Sequence, residues 1–196
     1  MCIRDSISIL QFLLDLDPKR NLFLLKGLHE SSPFYLPKFE IMDREFKVKS
    51  WEELSKDEFH ACLRLRVDVF VVEQNCPYPD LDTKDLKSLH VFLEAESGDF
   101  SDGDYTDAYL RICKPGVSYK EPSIGRVVTS ERSRGKGIGV KLMKKGIKVC
   151  ESLWPKQGVR ISAQKYLEKF YTDLGFEVCS EPYLEDDIPH IQMFRK

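Results

Sequence analysis

No Cys-x-x-Cys pair occurs among the six cysteines, Cys2, Cys62, Cys76, Cys113, Cys150 and Cys179, which lie far apart. A zinc site built from paired ligands is therefore disfavoured, and free thiols in a reducing cytoplasm are expected. There is no excess of one charge either. Thirty Lys and Arg residues against 32 Asp and Glu give a formal net charge of -2, without the basic stripe by which nucleic-acid binders displace counterions. Nucleic acid is not an expected partner, and only the stretch 132–148 is locally basic. Long apolar runs are also missing. The longest candidate, 7–16, follows a balanced Arg4-Asp5 and is broken by Asp15 and Asp17, too short for a membrane helix and without the basic start or small-residue cleavage site of a signal peptide. What remains, 196 residues with 42% hydrophobic and 32% charged, suits one soluble domain with some excess length.

That excess is expected at the N-terminus. Residues 1–41 combine a Leu/Phe-rich start with the punctuation Ser31-Ser32-Pro33 and Pro37. They read as an extension, disordered or not native to the protein, with Met42 as a candidate start of the domain proper.

From residue 46 the pattern changes every ten to fifteen residues, as alternating strands and helices require. A strand is expected at 46–50. Ser55, with Glu58 three residues on, forms a capping box, and Phe59, Cys62, Leu63, Leu65, Arg66 and Val69 recur at helical spacing to about Val72. Pro77 and Pro79 make the next segment a loop. The apolar runs 90–96 and 108–114, separated by a polar glycine-bearing segment, predict an antiparallel hairpin. Then follow a strand at 124–129, a helix at 139–153 stopped by Pro155, a strand at 159–163, a helix at 166–174 ended by Gly175, and strands at 177–180 and 191–195. The order is β-α-βββ-α-β-α-ββ: a mixed β-sheet flanked by helices, an α/β fold.

Between the strand ending at Thr129 and the helix near Gly139 lies Ser130-Glu131-Arg132-Ser133-Arg134-Gly135-Lys136-Gly137-Ile138-Gly139. A strand, a glycine loop and a helix N-terminus in that order form an anion site, where free backbone N–H groups meet the positive end of the helix dipole. Arg132, Arg134 and Lys136 add charge, although Arg132 reads more simply as a solvated side chain. A dinucleotide fingerprint would need a third glycine where Leu142 or Val140 stands, and a Walker A loop would need Ser or Thr where Gly137 follows Lys136. Both fail.

Arg134, Gly137 and Gly139 meet the R-x-x-G-x-G signature, and here the chain resembles the GNAT superfamily of acyl-CoA N-acyltransferases. The resemblance includes Ile124-Gly125-Arg126-Val127-Val128-Thr129 before the loop and Phe170-Tyr171-x-x-Leu174-Gly175-Phe176 after it. Phe70-Val71-Val72-Glu73-Gln74-Asn75-Cys76-Pro77-Tyr78-x-Asp80-x-Asp82 and Ile188-Pro189-His190-Ile191 are similar to its ElaA-like branch. It covers about 46–196, making 42–196 a GNAT-like N-acetyltransferase domain. The resemblance implies acetyl-CoA as co-substrate and no metal. It places pantetheine along Val127, Val128 and Thr129, and the diphosphate on Arg134, Gly135, Lys136, Gly137, Ile138 and Gly139.

The implied chemistry is direct attack of an amine on the thioester in a ternary complex, with a backbone N–H of the 127–129 strand stabilising the oxyanion. Tyr171 is the candidate general acid for the departing thiolate; from periodicity alone it would be a core aromatic. Glu73, His90, Glu185, Asp186, Asp187 and His190 are open candidates for a base. An acyl-enzyme on Cys76 or Cys113 has no histidine to support it. The acidic runs Asp80-x-Asp82-x-x-Asp85 and Glu185-Asp186-Asp187 hint at a cationic acceptor, a small-molecule or peptide amine. A non-catalytic acyl-CoA-binding module is the alternative function. The oligomeric state, a homodimer included, is left open by the sequence.

Overall fold

The computed structural model describes residues 44–95 and 106–196, so the expected N-terminal extension and the hairpin connection at 96–105 lie outside the described residues. Glu45–Lys196 form one compact unit. Its strands are β1 (Lys47–Ser50), β2 (Ser88–Glu94), β3 (Thr106–Cys113), β4 (Ser123–Thr129), β5 (Val159–Gln164), β6 (Glu177–Val178), β7 (Tyr183–Glu185) and β8 (Ile188–Arg195). Its α-helices are α1 (Lys56–Arg66), α2 (Ile138–Leu153) and α3 (Glu168–Thr172). All eight strands belong to one sheet in the order β1-β2-β3-β4-β5-β8-β6, with β7 also pairing β8. The expected mixed sheet with helices on it is present, with one strand more than the sequence pattern predicts.

Strand alternation divides the core between the two faces of the sheet. Leu110 and Ile112 of β3 and Ile124 of β4 pack with Ile138, Leu142, Met143 and Ile147 of α2. Tyr109 and Val128 meet Cys62 and Leu65 of α1 in a second cluster, with Val69 and Phe70 packed against it. Helix α1 begins as its sequence requires: Glu58 N donates to Ser55 Oγ at 3.1 Å, and Ser55 N donates to Glu58 Oε2 at 3.0 Å. It does not continue as an α-helix to Val72. Val67–Glu73 form a π-helical segment, in which Gln74 N donates to Val69 O and Cys76 N to Val71 O, each at 3.1 Å.

Two irregularities shape the centre of the sheet. Ala108 pairs with Thr129 and Tyr109 with Val128, but Arg111 pairs with Gly125. Leu110 therefore faces two residues of β4, a bulge in which Arg126 takes φ 53°, a conformation unfavourable for a side chain with a Cβ. Next to it, parallel β4 and β5 share one ladder pair, Ser123 with Arg160, whereas β5 stays paired with β8 from Val159 to Gln164. Beyond Ser123 the two strands diverge and leave a wedge along the bulged half of β4. The crossover between them is α2.

Candidate active site

The wedge leads to the glycine loop. The loop's first half is tied to β3: Ser130 N donates to Asp107 O at 2.9 Å, Ser130 Oγ to Asp107 Oδ1 at 3.1 Å, and Arg132 Nε to the same carboxylate oxygen at 2.7 Å. Arg132, read from sequence as a solvated side chain, thus anchors the loop. Gly135 and Gly137 have φ 71° and 72°, the left-handed region in which glycine avoids the Cβ penalty. Gly137 is the N-cap of α2, offers no side-chain hydrogen bond, and is followed by a first turn without acidic residues. The opening amides of a sixteen-residue helix are therefore left without a capping side chain, beside open space: a Cβ on Gly137 would meet no atom within 4 Å. That arrangement suits an anion with several oxygens.

The other residues singled out from sequence take distinct places. Ile138 is buried in the α2 core, so only its backbone can serve the loop. Lys136 is exposed. Val128 points into the α1 cluster and Val127 packs against the α2 side. A Cβ on Gly139 would lie 3.8 Å from Thr129 Cγ2 and 4.0 Å from Phe170 Cζ, so the end of β4, the start of α2 and helix α3 converge at one point. Tyr171 follows Phe170. It is 6% exposed, with its ring edge-on to Phe170 and Phe176 at centroid distances of 5.0 and 6.1 Å, and among the described residues its hydroxyl has no hydrogen-bond partner. Burial, with a smaller contribution from Tyr166, raises its pKa above that of an ordinary phenol, which keeps it protonated throughout the neutral range.

The base candidates separate clearly. His90 is fully buried. Its Nε2 lies 3.0 Å from Asp85 O, which can only accept, and its Nδ1 lies 2.8 Å from Tyr109 Oη. Burial above all lowers its pKa; both nitrogens are used inside the fold, and it is no free base. His190 Nδ1 donates to Ile188 O at 2.8 Å, and its ring stacks on Tyr183. Glu185 accepts from Ser162 Oγ at 2.9 Å. Asp186 and Asp187, with φ 49° and 62°, are the two-residue turn joining β7 to β8. Cys76 Sγ lies 3.8 Å from Asp186 O, and burial followed by the nearby Asp186 and Asp187 raises its pKa, which disfavours the thiolate of an acyl-enzyme route.

Asp80, Asp82 and Asp85 require a correction. Asp80 and Asp85 are buried and Asp82 only partly exposed, and three arginines of the fold neutralise all three, so they are no lure for cations. Arg66 Nε donates to Asp80 Oδ2 at 2.8 Å and its Nη1 to Asp85 Oδ1 at 3.0 Å. Arg111 Nη1 donates to Asp82 Oδ1 at 2.6 Å and to Asp85 Oδ1 at 2.7 Å. Arg126 Nε forms an ion pair with Asp80 Oδ1 at 2.7 Å, off the line of its N–H, and its guanidinium lies over the Tyr78 ring. The expected cationic acceptor therefore draws no support from Asp80, Asp82 and Asp85.

Arg134 also has a partner that its sequence position did not reveal. Its Nη1 and Nη2 donate to the two carboxylate oxygens of Glu73 at 2.8 and 2.7 Å. The adjacent Gln74 accepts from Gln164 Nε2, at the end of β5, at 3.2 Å.

A splayed β4–β5 pair, a bulged β4 and a glycine-started crossover helix define an acyltransferase scaffold, and the comparisons agree: a family model for the acetyltransferase (GNAT) domain matches residues 115–196. The chain belongs to the GNAT acyltransferase family, within its ElaA-like branch. It is 42% identical over 144 residues to protein ElaA of Escherichia coli (strain K12), covering 74% of this chain and 91% of that one. The crystal structure of Escherichia coli ElaA superposes with a TM-score of 0.70 at 40% identity, over 78% of this chain and 99% of that one. An acyl-CoA N-acyltransferase from Pseudomonas aeruginosa gives 0.69 at 40% identity over the same shares.

Proposed function

We propose that the protein is an N-acetyltransferase that passes the acyl group of acyl-CoA, acetyl-CoA foremost, to an amine by direct attack in a ternary complex. The observation that carries this reading is the convergence at Gly139, where the open edge of β4, the uncapped amides of α2 and the helix bearing Tyr171 meet. In this reading the diphosphate lies on Gly135, Gly137 and the first amides of α2, and pantetheine pairs with the free edge of Val127, Val128 and Thr129. The bulge leaves Arg126 and Val127 of β4 without ladder partners in β3, which supports a backbone N–H directed at the thioester oxygen.

A neutral amine attacks the carbonyl carbon, the C–N bond forms, and the C–S bond breaks. Tyr171 gives its proton to the departing sulfur and regains the one shed by the new amide nitrogen, so protons balance without a metal. Its raised pKa keeps the proton in place until sulfur needs it. The same burial raises the proton affinity of a thiolate formed there, so the transfer is not opposed by the phenol alone.

The test is thiol release from acetyl-CoA across an amine panel spanning polyamines, amino sugars and lysine-like amines, read against the rate without amine. Amine-dependent release with an acetylated product is expected. Normal coenzyme A binding with no amine-dependent release would favour the non-catalytic acyl-CoA-binding module instead.

A further inference from the structure

The π-helical segment ends at Glu73, and Glu73 and the capping residue Gln74 reach opposite walls of the wedge. Glu73 extends to Arg134 in the loop after β4, and Gln74 to Gln164 at the end of β5. Wide helical turns cost more than α-helical ones and recur at functional sites; this one carries a carboxylate to the mouth of the cleft. Arg134 is only 20% exposed and Glu73 32%. The exposed ring of Tyr166 lies in the field of both.

This ion pair conflicts with the loop's expected ligand. The terminal nitrogens of Arg134, its planar fork for oxyanions, are both taken by Glu73, and a carboxylate close to the glycine loop repels a diphosphate. Arg132 is tied to Asp107. Resting on the reading above, we propose that Glu73 and the diphosphate of acyl-CoA compete for Arg134, so that coenzyme binding frees Glu73 to become the anchor of a cationic acceptor amine. The exchange leaves each charged group with an opposite partner: Arg134–Glu73 becomes Arg134–diphosphate and Glu73–ammonium. The acceptor is then an amine that arrives protonated and loses that proton to solvent water before attack, and acyl-CoA binds first. By linkage, a cation that occupies Glu73 tightens coenzyme A binding by the factor that coenzyme A tightens the cation.

Calorimetric titration of coenzyme A into wild type, Glu73→Gln, Arg134→Gln and the double variant tests this. Glu73→Gln should bind coenzyme A about two- to five-fold more tightly, the range for a partly exposed pair, whereas Arg134→Gln should bind it more weakly. In the Arg134→Gln background the Glu73 substitution should give no comparable gain. With the fastest amine of the panel, Glu73→Gln should raise KM about ten-fold or more. If Glu73→Gln, or Glu73→Ala should the first not fold, weakens coenzyme A binding or leaves it unchanged, Glu73 merely holds Arg134 in place and the competition is refuted. An unchanged amine KM refutes the anchor. A wild type that binds no coenzyme A would instead overturn the proposed function.

Discussion

Gly137 and Gly139 are two residues apart, yet the structure makes opposite demands on them, which allows ligand exclusion to be separated from folding damage. At Gly137, φ is 72° and an added Cβ has open space around it. The Gly137→Ala variant therefore suffers only the left-handed penalty, roughly 1–2 kcal/mol, which for a domain of this size lowers Tm by about 2–8 °C. At Gly139 φ is ordinary and the nearest atoms are 3.8 Å away. The Gly139→Ala variant should hold or raise stability, by at most about 1 kcal/mol from helix propensity. The Gly137 methyl enters the open space beside the α2 amides, and the Gly139 methyl the point where Thr129 and Phe170 converge on the first turn of α2. Loss of one charge-assisted hydrogen bond there, ~1.5–3 kcal/mol, corresponds to a roughly 10- to 150-fold weaker coenzyme A affinity. Differential scanning calorimetry gives the stability arm, and isothermal titration with coenzyme A the binding arm. The expected signature is a lower Tm for Gly137→Ala alone, with weaker coenzyme A binding in both. Folded variants that bind coenzyme A as the wild type does would show that this loop is only a strand-to-helix turn.

Tyr171→Phe keeps the ring packing and removes the hydroxyl, so kcat should fall about 10²–10⁴-fold with little change in coenzyme A affinity; full turnover under chemistry-limited conditions would return Tyr171 to the core. Because its pKa is raised above the ordinary phenol value of 10.0, no alkaline limb from this group is expected below about pH 10 in the kcat profile. Asp85→Asn removes one of three carboxylates facing Arg66, Arg111 and Arg126 and should cost ~3–5 kcal/mol, seen as a lower denaturant midpoint. His90 is held neutral by burial, with Arg66 and Arg111 also opposing its charge and Asp85 favouring it. The unfolded chain binds the proton more readily than the fold does, so stability should fall as pH drops below about 6.5. Urea titrations between pH 7.5 and 5.5 should show that slope, and a flat response would refute it.

Much of the architecture was legible because its signals are local. The Ser55–Glu58 box, the glycine start and Pro155 stop of α2, and the hairpin pattern of β2 and β3 each lie within a few residues of what they specify. The π-helical segment was not legible, since the apolar spacing of Val67, Val69, Phe70, Val71 and Val72 serves i−4 and i−5 hydrogen bonds alike. Strand β7 escaped because it has three residues and its turn is Asp186-Asp187, not the usual Asn-Gly; Asp tolerates the left-handed region well enough to form it. The arginine–aspartate cluster is assembled from α1, β3, β4 and a loop, and no local rule joins them. A signal was nevertheless present: Arg66 lies on the apolar stripe of α1 and Arg111 within an apolar strand, and a cation in such a position requires a buried anion. The same reasoning could not find Glu73 for Arg134, because neither lies within an apolar pattern.

That cluster bears on the site more than on stability. Burying the charges of Arg66, Arg111, Asp80 and Asp85 is costly, and a well-packed apolar substitute is often as stable, so stability alone does not account for Arg66, Arg111 and Arg126 meeting Asp80, Asp82 and Asp85. Its geometry offers a reason. Arg126 occupies the bulge of β4 with φ 53°, a conformation costing about 1–3 kcal/mol unless its surroundings require it, and its guanidinium is held by Asp80 and the face of Tyr78. Asp80 is fixed in turn by Arg66 of α1. One network therefore holds the bulge beside the open edge of β4 and the loop that continues from Glu73, Gln74 and Cys76. The two sides of the cleft are set relative to each other by this network, leaving the partly exposed Glu73–Arg134 pair as the contact that a ligand exchanges in the proposed competition.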